Sequence, residues 1–321
     1  MKNKLLEELM KITDEEKAIL QQETEIKKDI YTSQAAFVIE SEKFLSKDKM
    51  IMLRKHTRFI DFPKHRHNYI EINYVFNGQL KQNVGNEEIC LKKGELLFLN
   101  QHIDHEIDAC ANEDIVINFI IQPQFFEFIF SYLSSDNLIS NFIINSLYNH
   151  TQNGQYLYYA VSEVAQIQEL IYKMMEEIMN PSILSDSTIK LYMGLLMIEL
   201  IKNSDHLKQN EQNPRDHYLI VEAMKYIEQH YQNASLYELA EKLNQPHYAL
   251  SKNIKNATKF TFKELLQEKR LNMAKHLLKE TDIPITEIVE MVGYDNISYF
   301  YRIFKNKYGV TPKKFREQVV N

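Results

Sequence analysis

The chain has 321 residues, of which only 7 are glycine and 7 proline, about 2% each against typical usage of about 7% and 5%. Glycine lets a backbone wrap closely around phosphate, so a P-loop or dinucleotide fingerprint has little material here, and neither pattern occurs. The chain is 44% hydrophobic and 26% charged with net charge −6, which fits a soluble globular protein of two domains and excludes collagen-like and disordered classes.

The first residues, MKNKLLEELMKITDEEKAIL, start basic, but Glu7 and Glu8 interrupt the apolar run, so neither a signal peptide nor a membrane span is expected. Residues 1–34 read as an N-terminal helical arm. Residues 35–121 change period. Short apolar runs (MIMLRKH, YIEINYVF, EEICLKKG, ELLFLN, DIVINFII) are separated by turn signals at Asn77-Gly78, Gly85-Asn86 and Lys93-Gly94, which predicts antiparallel strands closing into a small barrel or sandwich. Cys90 and Cys110 give neither a disulfide framework nor a zinc spacing; two reduced thiols suit a cytoplasmic protein.

Within this β region His65-Arg66-His67, then Glu71 and Gly78, form H-x-H-x₃-E-x₆-G, and Gly94 and His105 follow at a G-x₁₀-H spacing. His65 and His67 fall on one strand face at spacing two, and Glu71 is expected on the same face. Three readings stay open for His65, His67, Glu71 and His105: a divalent metal site with open positions, a metal-free ligand pocket, or groups that satisfy one another. The metal-free pocket is preferred. Arg54, Tyr69, Tyr74, Phe98 and His102 are expected to complete its lining, and aromatics with a few convergent donors suit a sugar.

After Pro123 the period is helical. Residues 122–203 read as a helical region for dimerisation and relay. Its segment TIKLYMGLLMIELIKN is apolar on more than one face, so it must bury a second side against its own domain or a partner. Residues 204–215, poor in large apolar side chains and ending at Asn213-Pro214, read as the linker.

Residues 216–321 read as helices throughout, with an internal repeat. Leu236, Leu239, Ala240 and Leu243 match Ile285, Ile288, Val289 and Val292, and Leu250, Ile254 and Thr261 match Phe300, Phe304 and Thr311. Each copy is a short helix, a turn residue tolerant of positive φ (Asn244, Gly293) and a second helix. Ser235 with Glu238 has a capping-box signature, and Thr311-Pro312 starts the last helix. This region holds 17 basic and 13 acidic residues, against 21 and 31 elsewhere, so a basic third follows an acidic body, as expected if it meets a polyanion. The second helices carry no acid. They offer His247, Tyr248, Ser251, Lys252 and Lys255 in the first copy, and Asn296, Ser298, Tyr301, Arg302 and Lys305 in the second. Arginine and asparagine can read base edges, while lysines mostly bind phosphates.

The stretches SLYELAEKLNQPHYALSKNIKNATKFTFKELLQEKRLNMAKHLL and PITEIVEMVGYDNISYFYRIFKNKYGVTPKKFR resemble the DNA-binding domain of the AraC/XylS family of bacterial transcription regulators. The resemblance covers about 100 residues. It implies two helix-turn-helix units joined by a long helix at about 262–279, with recognition elements at 246–257 and 296–307 in successive major grooves. The first unit departs from the family pattern: Lys259 replaces a glycine, Ile254 a phenylalanine and Pro246 a serine. The histidine motifs are similar to those of cupin barrels, although Asn100, His102 and Ala109 depart from the second motif.

The resulting expectation is an α+β protein: a cupin-like sensor barrel with flanking helices, followed by an all-α DNA-binding domain. It is a cytoplasmic regulator of carbohydrate-utilisation genes that binds double-stranded promoter DNA and a small effector, without a firm cofactor, and dimerises. Contact with RNA polymerase is implied by the family alone. The rivals are a metal-dependent cupin enzyme with an accessory DNA-binding domain, and a constitutive DNA-binding regulator.

Overall fold

The alternating runs of residues 50–121 all become strands, because β-branched and aromatic side chains at period two fit a pleated, half-buried surface. The structure, a computed structural model, describes residues 2–21, 25–46, 49–131, 137–148, 154–209 and 218–320. It divides into two units, Met1–Asn213 and Pro214–Asn321.

The first unit begins with α1 (Lys2–Met10) and α2 (Asp14–Leu20). The strands are β1 (Val38–Ile39), β2 (Ile51–Lys55), β3 (Phe62–His67), β4 (Ile70–Asn77), β5 (Gln79–Val84), β6 (Glu87–Lys92), β7 (Leu96–Leu99), β8 (His105–Ile107), β9 (Ile115–Ile121), β10 (Tyr156–Tyr159) and β11 (Leu207–Gln209). They form a five-stranded sheet, β1-β3-β8-β5-β6, and a six-stranded sheet, β11-β10-β7-β4-β9-β2. Between the sheets lies a core that includes Val75, Leu97, Leu99, Ile107 and Ile120. Three helices follow: α3 (Leu138–Tyr148), α4 (Ala165–Met179) and α5 (Ser185–Lys202). They cover the outer face of the larger sheet, which is why β4, β7 and β9 are buried on both faces along nearly their whole length.

Two boundaries differ from expectation. Residues 156–159, inside the expected helical region, form β10, which pairs with β7 from Tyr156 opposite Leu99 to Tyr159 opposite Leu96. Residues 207–209, expected in the linker, form β11 on the edge of β10. Both segments are too short for periodicity to reveal, and strand pairing decides them. Residues 210–215 of the expected linker lie outside the described residues.

The second unit is helical: α6 (Tyr218–His230), α7 (Leu236–Lys242), α8 (His247–Thr258), α9 (Phe262–Glu280), α10 (Ile285–Met291), α11 (Ile297–Tyr308) and α12 (Pro312–Val320). Ser235 caps α7 through Tyr237 N, but Glu238 accepts from the Tyr226 hydroxyl, so the expected capping box is incomplete. Complete boxes form instead at Thr13/Glu16 and Thr261/Glu264. Helix α9 is shared by the two halves and packs on α6, α8, α10 and α12.

Candidate effector site and nucleic-acid interface

The sensor cluster is assembled across the two sheets. His65 and His67 lie on β3, and His105 on β8 stands directly opposite His65. Glu71 was expected on their strand face. It reaches them from β4 in the other sheet, because the chain crosses between sheets at residues 68–69. His67 Nε2 and His105 Nε2 are 2.9 Å apart, and Glu71 Oε2 stands 3.4 Å and 3.8 Å from them. All four residues are buried. Burial pushes His65 down to about 3, with His67 adding to the effect. Burial likewise holds His105 well below the ordinary histidine range. At Glu71 burial opposes ionisation, but the attraction of His67 outweighs it and the carboxyl stays low. Tyr69 stacks on His67 with ring centroids 4.7 Å apart.

His65, Tyr69, Glu71 and Arg54 line one cavity of about 20 Å³, together with Tyr31, His56, Thr57, Phe62 and Asn118. That space holds a water or an ion rather than a sugar ring. Tyr74 and Phe98, expected in the pocket, lie on the opposite face. The Tyr74 hydroxyl donates to Gln168 on α4, and Phe98 packs on Phe142 and Tyr159. Strand parity is the cause. Glu71, Asn73 and Val75 face inward, so Tyr74 and its register neighbours face out. His102 sits in the loop after β7, outside the cavity lining.

The arm contacts residues that line this cavity. Its capping box sets the angle of α2, and two consecutive acids then meet the barrel. Glu15 accepts from Arg54 Nη2 at 2.9 Å, the Tyr31 hydroxyl at 2.6 Å and Thr57 at 3.1 Å. The Arg54 guanidinium lies between the rings of Tyr31 and Phe44, at 4.4 Å and 4.7 Å. Glu16 is buried against Arg58, with contacts of 2.7 Å and 3.1 Å, and Lys55 reaches it at 2.9 Å. Burial opposes the Glu16 charge, but hydrogen bonds from Arg58 and Lys55 win and hold its carboxyl at about 2. The sequence reading missed Glu15, Tyr31, His56, Thr57 and the inward-facing Asn73, Gln82 and Asn118. The Thr13-x-x-Glu16 box was a legible signal for the arm.

In the second unit α8 starts at Pro246 and α11 is capped by Asn296, whose side chain accepts from Tyr299 N at 2.9 Å. Asn296 thus spends its oxygen on the helix, leaving its amide NH₂ for donation. Leu250 and Ile254, and Phe300, Ile303 and Phe304, are buried. Tyr248, Lys252, Lys255, Asn296, Ser298, Arg302 and Lys305 are exposed, while His247, Ser251 and Tyr301 are half-buried. His247 stacks on Tyr237, and Arg302 lies 5.3 Å from the Tyr299 ring. Lys252, Lys255 and Lys305 form no ion pair among the described residues, so their charge is available to a polyanion. Lys259 adopts φ 64° at the end of α8, where the family resemblance called for glycine. Arg270 on α9 donates to the carbonyls of Tyr231 and Gln232, both at 2.7 Å, and lies over Tyr294. It thereby ties the end of α6 to the turn of the second helix-turn-helix.

Comparison with known proteins agrees with both units. The AraC-like ligand binding domain family matches residues 50–191, and a helix-turn-helix domain family matches residues 239–318. The chain belongs to the AraC/XylS family. The HTH-type transcriptional activator RhaS of Escherichia coli O1:K1 / APEC is 22% identical over 80% of this chain and 88% of that protein. The xylose operon regulatory protein of Haemophilus influenzae is 35% identical over 99 residues, which are 30% of this chain and 26% of that one. Among solved structures, the C-terminal domain of AraT from Geobacillus stearothermophilus is 37% identical, covering 32% of this chain and 88% of that one, with a TM-score of 0.31. As an AraC/XylS member the chain is a ligand-responsive, DNA-binding transcription regulator. No helix among the described residues is long and apolar enough to cross a membrane.

Cupin-like spacing also implies a divalent metal, and the donors fit one. Glu71 Oε2 is buried without a hydrogen bond, beside two imidazole nitrogens. A buried carboxylate oxygen left in this way favours a cation.

Proposed function

We propose that this AraC/XylS regulator controls carbohydrate-utilisation genes in the cytoplasm, that its effector is a sugar, and that it is not an enzyme. The effector binds at the mouth of the sensor unit, where Arg54, Tyr31 and Thr57 offer donors now occupied by Glu15. The observation that carries this reading is the mouth itself: a guanidinium between two aromatic rings, two hydroxyls and a removable acid. Aromatic faces with convergent donors suit a sugar, and the name of one relative, the xylose operon regulatory protein, supports it. The cavity of about 20 Å³ behind the mouth leaves no room for a sugar while the arm is docked. Effector binding must therefore move the arm, and it can act on DNA only through different affinities for the two arrangements.

On DNA, α8 and α11 enter adjacent major grooves. Lys252, Lys255 and Lys305 contact phosphates, and Arg302, Asn296, Ser298, Tyr301, His247, Tyr248 and Ser251 face the bases. A second copy docks on α5, where Leu191 and Leu195, four residues apart, are 66% and 50% exposed. Contact with RNA polymerase follows from the family.

Genomic footprinting with and without a panel of mono- and disaccharides tests the whole reading. The expected result is protection upstream of carbohydrate genes that changes with one sugar. Footprints that no sugar changes, at genes unrelated to carbohydrates, would overturn it.

A further inference from the structure

Glu15 holds its carboxylate in a cradle of donors. Its Oε2 accepts from Arg54 Nη2 at 2.9 Å and from Thr57 Oγ1 at 3.1 Å, and its Oε1 accepts from the Tyr31 hydroxyl at 2.6 Å. Arg54 Nη2 also donates to the Tyr31 oxygen at 2.7 Å, so a guanidinium and two hydroxyls are already ordered around one carboxylate. The cradle does not belong to α2. Arg54 lies on β2 and Thr57 follows it. Tyr31 is fixed in the barrel core, edge-on to Phe62 with ring centroids 5.1 Å apart, and its carbonyl accepts from Glu40 N. Lifting α2 takes the carboxylate away and leaves all three donors behind.

Charge then decides what can replace Glu15. The Arg54 side chain is only 22% exposed and lies between the Tyr31 and Phe44 rings. Among the described residues Glu15 is its one ion-pair partner, because Glu16 is engaged by Arg58 and Lys55. A guanidinium stays charged at any working pH. With a neutral ligand in place of Glu15, that charge has no counter-ion in a poorly hydrated site. A hydroxyl also accepts a weaker bond from a guanidinium than a carboxylate does. Burial lifts the Tyr31 hydroxyl to about 12, so it remains a donor and adds to the preference for an ionised acceptor.

We propose that the effector is a sugar acid, a uronate or aldonate, whose carboxylate replaces that of Glu15 on Arg54, Tyr31 and Thr57. Glu15 is a built-in competitor with the same charge and the same acceptor geometry as the ligand. Exchanging one carboxylate for another conserves the ion pair and the hydroxyl contacts, so α2 is released at the expense of its other contacts alone. A neutral sugar forfeits the ion pair as well. This rests on the reading of the mouth as the sugar site and adds which sugars it selects.

The test uses full-length Glu15→Ala, in which the cradle is unblocked, and follows the sensor unit's thermal transition at ionic strength held constant with chloride. Acetate should raise the transition saturably in Glu15→Ala, and acetamide should not. D-glucuronate and D-galacturonate should half-saturate at concentrations at least about 10-fold below those of D-glucose and D-galactose. Adding Arg54→Gln should remove the advantage of the acids. Where Glu15→Ala fails to fold, Glu15→Gln, which keeps the shape and loses only the charge, should bind the uronates about 10-fold more tightly than the wild type in isothermal titration. A Glu15→Ala protein indifferent to acetate and to both uronates would overturn the proposal, as would acid binding that survives Arg54→Gln unchanged. A neutral parent that binds as tightly as its acid overturns the proposal and leaves the sugar reading standing. Rescue by acetate that no sugar ring improves overturns the sugar reading, and the sugar half of this proposal with it.

Discussion

Replacing Glu16 by Gln isolates the clamp between the arm and the barrel. The wild-type carboxylate is buried, meets Arg58 at 2.7 Å and Lys55 at 2.9 Å, and titrates at about 2 instead of the usual 4.5. Because the folded-state value is depressed, the carboxylate adds stability that is complete above pH 4.5 and is lost as pH falls through about 2. The difference corresponds to roughly 3 kcal/mol at neutral pH, falling to about 2 kcal/mol at pH 3.5. An independent route agrees: removing one partner of a buried pair strands the other charge, here Arg58, at a cost of about 3–5 kcal/mol. Urea titrations of both proteins, followed by far-UV circular dichroism at pH 7 and pH 3.5, measure this in the transition of the sensor unit. A loss below about 1 kcal/mol at pH 7, or one that does not shrink at lower pH, would refute the reasoning.

Arg302→Ala should weaken specific DNA binding by about 1–3 kcal/mol and relax preference at one base position, whereas Lys305→Ala should weaken all sequences alike and reduce the salt slope by about 1. Fluorescence anisotropy over a salt series separates the two, and unchanged binding in both removes α11 from the groove. Lys259→Gly should raise the melting temperature, since a lysine at φ 64° carries about 1 kcal/mol of strain that glycine relieves. Gly293→Ala should destabilise by about 2 kcal/mol or more, because a Cβ there would stand 2.3 Å from the Gln232 carbonyl oxygen; Gly309→Ala, with nothing within 4 Å, should cost about half as much. Leu191→Ser with Leu195→Ser should shift the protein toward monomer in sedimentation velocity without lowering its thermal stability, because both side chains are exposed on α5.

The DNA-binding half was legible in the sequence almost throughout. Local rules govern it: helical periodicity, turn residues at Asn244 and Gly293, and an acid-free second helix in each copy. The positive φ at Lys259 followed from the family resemblance, in which a glycine stands there. What local rules could not supply was the Arg270 tie, which joins residues about 40 positions apart. The strands of residues 50–121 were legible for the same reason, and so was the histidine pattern.

The sensor site needed the tertiary structure. Which face of β4 points inward depends on which sheet it joins: helices cover the outer face, so Ile70, Ile72 and Tyr74 are buried outward while the polar Glu71 and Asn73 face the interior, the reverse of what alternation alone suggests. Glu71 meets the histidines through a crossing between sheets, not through spacing along one strand. Ion pairs such as Glu16 with Arg58 link positions 42 residues apart. The low glycine content excluded phosphate loops from the start; composition and period are properties of the chain itself. Where a buried charge finds its partner is a property of the packed fold, because the interior makes every unpaired polar group costly and only packing decides which groups meet.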